Sequence, residues 1–293
     1  MYYSPLRYPG GKAKLASFME LMIDKLQLNG TTYVEPFAGG AGIALELLFN
    51  DVVSNVVIND WDKAIASFWN AILKQTDRFI NMIYKTPITV DEWQRQKKIY
   101  EANINKCGLE LGFATFYLNR TNRSGIIQGG IIGGFQQDGK WGIDARFNKE
   151  ELVKRIKKIS ERKKDIKVYN KDVISFISNY LPRYGENAFV YFDPPYFNKG
   201  KALYKNYFNL QDHKRIESYI AENVQCKWMI TYDDVKAITD IYDGYEIRRF
   251  DLNYSAGKAK KASEIMIFEN ADVCPTLEEV NERNILINYR NII

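Results

Sequence analysis

Histidine is almost missing from this 293-residue chain: His213 stands alone against 41 Lys+Arg and 36 Asp+Glu. One histidine excludes a multi-histidine zinc site and a histidine pair for acid–base relay. Cys107, Cys226 and Cys274 are too far apart for a zinc ribbon or a disulfide framework. Three scattered cysteines suit a reducing cytoplasm. No apolar run approaches the roughly 20 residues a membrane span needs. The opening MYYSPLRYPGGK lacks the basic-then-apolar build of a signal peptide. These scarcities point to a cytoplasmic protein with no metal and no membrane partner. Its chemistry must run on carboxylates, aromatics, amides, backbone groups or an organic cofactor.

What is abundant is apolar and aromatic: 46% hydrophobic and 14% aromatic residues exclude wholesale disorder. The length suits one large or two modest domains with a real core. A net charge of +5 and a pI near 8.8 are compatible with nucleic acid without demanding it. The distribution of that charge matters more than its sum.

No long repeat or low-complexity linker interrupts the chain. Thr31–Phe37 reads as a short strand running into a glycine turn, Gly39-Gly40-Ala41-Gly42, and Ile43–Phe49 has helical spacing. Asn55–Asn59 is a second buried strand with Asp60 at its carboxyl end, and Trp61–Tyr84 is helix-like. From Lys85 to about Asn148 the character changes, with two double glycines and a Gln137-Asp138-Gly139-Lys140 turn. This reads as a mixed helical stretch followed by loops and a β-hairpin set into an α/β domain. Phe147–Lys164 is a basic helix, Ile166–Asn170 a short strand followed by Asp172, and Asn187–Phe192 an apolar strand. Asp212–Asn223 is helical, Lys227–Tyr232 a strand, and Tyr245–Leu252 with Glu264–Glu269 a closing antiparallel pair. Alternating strands and helices predict an α/β fold with a Rossmann-like, doubly wound, mainly parallel sheet.

Three motifs carry chemistry. Asp193-Pro194-Pro195-Tyr196 follows a buried strand, where open α/β sheets bind ligands. Tandem prolines fix φ and remove two N–H donors, leaving carbonyl acceptors beside a carboxylate and a phenol. That set suits a planar ligand with an exocyclic amine; the plainer alternative is a Pro-Pro turn with a capping Asp. Glu35-Pro36-Phe37-Ala38-Gly39-Gly40-Ala41-Gly42 lets backbone approach a ligand just before a helix N-terminus. Asp60 ends the next strand, where an acid can hold ribose hydroxyls; as an isolated residue it would serve as a helix N-cap. Arg7-Tyr8-Pro9-Gly10-Gly11-Lys12 resembles part of a phosphate loop, but the Walker spacing is absent and an ATPase is disfavoured. A lysine there can instead reach a carboxylate.

Tyr-Pro-Gly-Gly-Lys, Val-Glu-Pro-Phe-Ala-Gly-Gly-Ala-Gly, Asn-Asp and Asp-Pro-Pro-Tyr, in that order, resemble the Dam-type (D12 class) DNA adenine methyltransferases. The resemblance runs from Leu6 to about Glu269. It implies a methyltransferase sheet carrying an inserted helical and β-hairpin target-recognition subdomain. The catalytic domain would then comprise residues 1–60 and 166–293, and the recognition insertion residues 61–165. It implies S-adenosyl-L-methionine as cofactor, with Tyr8, Gly11 and Lys12 lining its site and Lys12 near the methionine carboxylate. Glu35, Pro36, Phe37 and Gly39 would form the floor, Asp60 would hold the ribose, and Asp172 would contact the cofactor adenine. Asp193, also beside the cofactor, Pro194 and Tyr196 would receive the target adenine.

The residue inventory agrees with direct displacement at an amino nitrogen, which needs positioning and electrostatics but no covalent intermediate. A duplex adenine must be flipped out and stacked, with Tyr196 the platform and Tyr204 and Tyr207 packing nearby. Arg120, Arg123, Lys140 and Arg146 lie among Asn119, Asn122, Gln128, Gln136 and Gln137, a set that can read bases and hold phosphates. The expected partner is double-stranded DNA, met by a monomer in a bacterial or phage-encoded setting. GATC enzymes usually continue Asn-Arg-x-x-(aromatic)-Asn-Gly-Leu; this chain departs with Asn119-Arg120-Thr121-Asn122-Arg123-Ser124-Gly125-Ile126. An RNA base-amino methyltransferase and a catalytically silent nucleic-acid-binding module are the alternatives. The basic run Arg155–Lys164 reads as a solvated helix face, and Gly257–Lys261 as a loop touching phosphate or solvent. His213 has no chemical role in this reading.

Overall fold

The computed structural model describes residues 3–7, 12–197, 208–252 and 262–291. Tyr8, Gly11, Tyr204, Tyr207 and the Gly257–Lys261 run lie outside the described residues.

Five short, β-branched and aromatic runs build parallel strands: β1 (Thr32–Glu35), β2 (Asn55–Asn59), β3 (Ile166–Tyr169), β4 (Ala188–Phe192) and β5 (Lys227–Asp233). Three more pair antiparallel at one edge: β6 (Glu246–Leu252), β7 (Ala262–Phe268) and the two-residue β8 (Arg290–Asn291). The order is β3-β2-β1-β4-β5-β7-β6-β8. Its first five strands have the order of the doubly wound fold. The antiparallel pair at Tyr245–Leu252 and Glu264–Glu269 forms as the sequence predicts, with β7 set between β5 and β6.

Helices α1 (Ala16–Lys25), α2 (Gly42–Phe49), α3 (Lys63–Lys74), α4 (Thr76–Lys85), α5 (Val90–Asn103), α6 (Leu109–Thr121) and α7 (Lys149–Glu161) come first. They are followed by α8 (Val173–Asn179), α9 (Leu210–Asn223), α10 (Lys236–Ile241) and α11 (Leu277–Glu282). Starts are set by local side chains that satisfy orphan N–H groups: Asp62 caps α3, Thr89 α5, Asn148 α7 and Asp172 α8. Asn209 and Thr276 form capping boxes on α9 and α11. Thus Asp62, not Asp60, opens α3.

Strand alternation divides the interior into two clusters. Tyr33, Val56, Ile58, Phe189, Tyr191, Met229, Met266 and Phe268 belong to one; Val34, Val57, Val190, Phe192, Ile230, Ile265 and Ile267 belong to the other. Both faces are covered, as parallel sheets require. Helices α3 to α7 share the first cluster with α1 and α2 through Phe68, Phe79, Phe113, Phe116 and Phe147. Gly112 makes α3 and α6 pack closely: a Cβ there would meet the Ser67 carbonyl at 2.6 Å.

The β-hairpin expected before Asn148 does not form as a ladder. Residues 122–148 hold a single antiparallel bridge, Asn122 with Ile131, a 3-10 turn at Arg123–Gly125 and otherwise turns and bends. A side chain supplies much of what a ladder would have given. Gln137 Nε2 donates to the carbonyls of Ile132 and Gly134, and its Oε1 accepts from Ile143 N. Gly133 and Gly134 sit at φ of +80° and +77°, which breaks a strand where a side-chain-bearing residue would continue it.

Candidate active site

Strand order reverses between β1 and β4, because β1 pairs with β2 on one side and β4 on the other. A doubly wound sheet opens its ligand crevice there, outside the carboxyl ends. The turn Pro36–Ala41 leaves β1 at this point, and Asp193-Pro194-Pro195-Tyr196 leaves β4. Two motifs about 150 residues apart in the sequence therefore face one crevice by topology alone.

The glycine turn is held from three sides. Gly39 N–H donates to Asp60 Oδ2 at 2.9 Å, Trp69 Nε1 donates to the Gly39 carbonyl at 3.0 Å, and Asn59 Nδ2 donates to the Pro36 carbonyl at 3.0 Å. Ala41, the residue before α2, has φ of +46°, a strained position for a residue with a Cβ. Asp60 Oδ1 also accepts from Asp62 N at 2.9 Å. Burial, then the Asp62 charge, pushes its carboxyl up to about 7 against those two N–H bonds. Asn59 additionally bonds both the carbonyl and the N–H of Lys171, while Asn170 donates to the Asp60 carbonyl. These bonds tie the β3–α8 loop to the end of β2 and bring exposed Asp172 to the same rim.

Glu35 ends β1, 5% exposed, with Oε1 accepting from Ala44 N at 3.1 Å. Burial is the main reason its carboxyl rises to about 8, and Asp193 nearby adds to it. Pro36 is buried and Phe37 half-buried, its ring edge-on to Phe208 at 6.0 Å.

Lysine 12 does reach a carboxylate, but the protein's own. Its Nζ donates to Asp193 Oδ1 at 2.7 Å and Thr231 Oγ1 at 2.7 Å, and pairs with Glu264 Oε2 at 3.2 Å. In this structure Lys12 is thus paired with carboxylates of the protein itself. Burying a lysine this deeply requires such pairing. Asp193 Oδ1 also accepts from Thr231 at 2.9 Å, whose hydroxyl lies 2.7 Å from Tyr191 Oη. Oδ2 takes no hydrogen bond among the described residues, and the Asp193 side chain stays 27% exposed. One oxygen is anchored and the other faces outward. Burial pushes the Asp193 carboxyl up and Lys12 pulls it back, while Glu264 adds a smaller upward push.

Tyr196 is buried, with its hydroxyl turned toward β7. Its hydroxyl donates to Glu264 Oε1 at 2.8 Å, its ring lies 5.1 Å from Lys12 Nζ, and it is 5% exposed. Pro194 is buried beside it. His213 is buried on α9 with Nδ1 3.0 Å from Tyr232 Oη, and burial lowers it to about 4, so it stays neutral.

Asn119 and Asn122 need correction as base readers. Both are buried, at 1% and 0% exposure. Asn119 accepts from Arg7 N and donates to the Arg7 and Gly125 carbonyls. Asn122 donates to the Ile126 and Ile127 carbonyls and accepts from Trp93 Nε1 at 2.6 Å. Their amides shape the loop and clamp the segment that leads into Lys12. Arg120 Nε donates to the Arg146 carbonyl, while Arg123, Lys140 and Arg146 are exposed. Beside them stand two aromatics the motif reading passed over: Phe135, 58% exposed and edge-on to Trp93, and Trp141, 60% exposed with Lys140 above its ring. Their signal was available, as large apolar residues in a polar, glycine-rich stretch.

Thr231, Tyr191 and Glu264 were also missed. Strand parity places them on one face with Glu35 and Asp193: 33 and 35 on β1, 191 and 193 across β4, 229 and 231 on β5, 264 and 266 on β7. A charged residue opening the apolar run EIMIF was the legible sign.

The sheet order is that of a doubly wound α/β fold, with the glycine turn, Asp60 and Asp193-Pro194-Pro195-Tyr196 at the carboxyl ends of its parallel strands. Residues 8–256 match the D12 class N6 adenine-specific DNA methyltransferase family, and the chain belongs to it. It is an adenine-specific DNA methyltransferase acting on DNA at the 6-amino nitrogen. The type II methyltransferase M.MjaIII of Methanocaldococcus jannaschii is 26% identical, covering 83% of this chain and 89% of its own length. The type II methyltransferase M.CviBI of Paramecium bursaria Chlorella virus NC1A is 23% identical, covering 85% and 90%. Among solved structures, yhhF of Escherichia coli, provisionally described as a methyltransferase, aligns over 90% of both chains at 11% identity and a TM-score of 0.35. That distant likeness adds nothing to the topology above. No described helix is long and apolar enough to cross a membrane.

Proposed function

We propose that this chain methylates an adenine flipped out of duplex DNA into the crevice between the β1 and β4 ends, in a type II restriction–modification setting. The type II designation of both relatives supports the setting. The observation that carries the site is Asp193: Oδ1 is fixed by Lys12 and Thr231, and Oδ2 faces outward.

S-adenosylmethionine, which the family implies, supplies the methyl on a sulfonium centre open to direct displacement. The residues present fit it: a close-approach turn over Gly39, the Asp60 carboxylate at the β2 end with lone pairs to spare, and Asp172 on the same rim. Glu35, Pro36 and Phe37 floor the crevice at the end of β1. Asp193 Oδ2 and the Pro194 carbonyl accept the two N6–H bonds of the target, which favours a tetrahedral nitrogen with a directed lone pair. Tyr196 forms the ring wall against which the base stacks once admitted.

The DNA-facing surface is the turn-rich stretch 122–148 within the 61–165 insertion. There Arg123, Lys140 and Arg146 supply charge, with Arg120 bracing the Arg146 backbone. Expression in a methylation-free host, followed by single-molecule mapping of modified adenines, tests the reading and yields the recognition sequence. Asp193→Ala is expected to abolish transfer with DNA binding retained; near-normal turnover by that variant overturns the site.

A further inference from the structure

β7 is an apolar strand: Ile265, Met266, Ile267 and Phe268 are all fully buried. Glu264 stands at the head of this run, 2% exposed, where a carboxylate is costly unless paired. Each of its two oxygens meets a different part of the site. Oε1 accepts from the Tyr196 hydroxyl at 2.8 Å, and Oε2 lies 3.2 Å from Lys12 Nζ. Lys12 in turn holds Asp193 Oδ1 at 2.7 Å. A carboxylate serving only the core would have no reason to join both ends of the Asp193–Tyr196 motif.

We propose that Glu264 is a positioning residue for methyl transfer: it fixes the Lys12 ammonium and the Tyr196 ring together, and through them the direction in which Asp193 Oδ2 faces the target amine. The inference rests on Asp193 and Tyr196 forming the target-adenine site. Without Glu264 the ammonium loses one acidic neighbour, and the Tyr196 hydroxyl loses the acceptor 2.8 Å away.

Among the described residues, the charges and titratable groups that interact with Asp193 are Lys12 from the segment before α1, Tyr33 and Glu35 on β1, Tyr191 on β4, Tyr232 on β5 and Glu264 on β7, with the Thr231 hydroxyl on β5. Replacing Glu264 by Gln keeps an acceptor for Tyr196 and removes one like charge from this set. The expected result is an acid limb of kcat/KM shifted to lower pH, because Asp193 ionises more easily. Glu264→Ala removes both contacts. It is expected to lower kcat by roughly tenfold to a hundredfold, the scale of a misplacement of about an ångström, with KM for DNA and cofactor little changed.

The experiment measures methyl transfer to duplex DNA across pH for the full chain, Glu264→Gln, Glu264→Ala and Asp193→Ala, with circular dichroism of each. Wild-type kcat in Glu264→Ala, or an unmoved acid limb in folded Glu264→Gln, overturns the proposal. If Glu264→Ala does not fold, Glu264→Gln decides alone. An inactive Asp193→Ala beside wild-type-like Glu264 variants sinks only this inference. An active Asp193→Ala sinks the site reading itself.

Discussion

Lys12 Nζ and Asp193 Oδ1 lie 2.7 Å apart across 181 residues of sequence, a charge-assisted bond that joins the amino-terminal glycine motif to the acceptor motif. Removing one partner of a buried pair leaves the other uncompensated, at a cost of roughly 3–5 kcal/mol. Lys12→Met is therefore expected to lower stability and to cut methyl transfer at least about a hundredfold through misplacement of Asp193. The sign at Asp193 is fixed by the lost cation: its carboxyl rises further, so the acid limb of residual activity moves to higher pH. Thermal unfolding and a pH–rate profile check both.

Asn119→Ala and Arg123→Ala should separate loop shaping from DNA contact. Asn119→Ala removes three hydrogen bonds that hold Arg7 and Gly125 to α6, costing about 1–3 kcal/mol for a buried group such as the Gly125 carbonyl left unpaired. Its melting temperature falls. Arg123→Ala keeps the wild-type melting temperature, because the side chain is exposed, and loses DNA affinity with cofactor affinity unchanged. Calorimetry with each ligand, beside a melt, reads both.

Lys140 and Trp141 are adjacent, and their contributions to DNA binding should have different salt dependence. Lys140→Ala is expected to reduce the slope of log affinity against log salt by about 0.9, the value of one phosphate contact. Trp141→Ala is expected to cost about 1–3 kcal/mol of affinity, the worth of an aromatic–base contact, with the slope unchanged. A salt titration of duplex binding by fluorescence anisotropy distinguishes them. Equal slopes for both variants would remove Lys140 from the phosphate footprint.

Glu35 gives a pH dependence of folding. Burial raises its folded carboxyl from 4.5 to about 8, so between those values the folded chain holds a proton that the unfolded chain has released. Its contribution to stability is fully present below about 4.5 and declines as pH rises through 8. Glu35→Gln keeps an oxygen for Ala44 N–H and abolishes the titration. Urea unfolding from pH 5 to 8 should therefore lose stability more steeply in the wild type than in the variant.

The closing antiparallel pair and the strand-to-turn junction at Asp193 were legible because their causes are local. Alternation, glycine, proline and capping side chains act within a few residues. Asn119 and Asn122 misled for a physical reason. An amide that reads a base and one that holds a loop have the same donors and acceptors, and only burial tells them apart. The hairpin failed similarly, since double glycines allow a turn without fixing whether a ladder or a Gln137 side chain closes it.

What the sequence determined by itself was the set of acceptors, the family order of its motifs and the absence of any histidine or cysteine nucleophile placed to act. The tertiary structure alone decided which groups share a charge. Thr231, Glu264 and Lys12 meet at Asp193 because β4, β5 and β7 lie side by side in the sheet and the same pleat face of each carries its polar residue inward. Sequence spacing cannot encode that meeting, since the connections between these strands are roughly a hundred ångströms long in the extended chain.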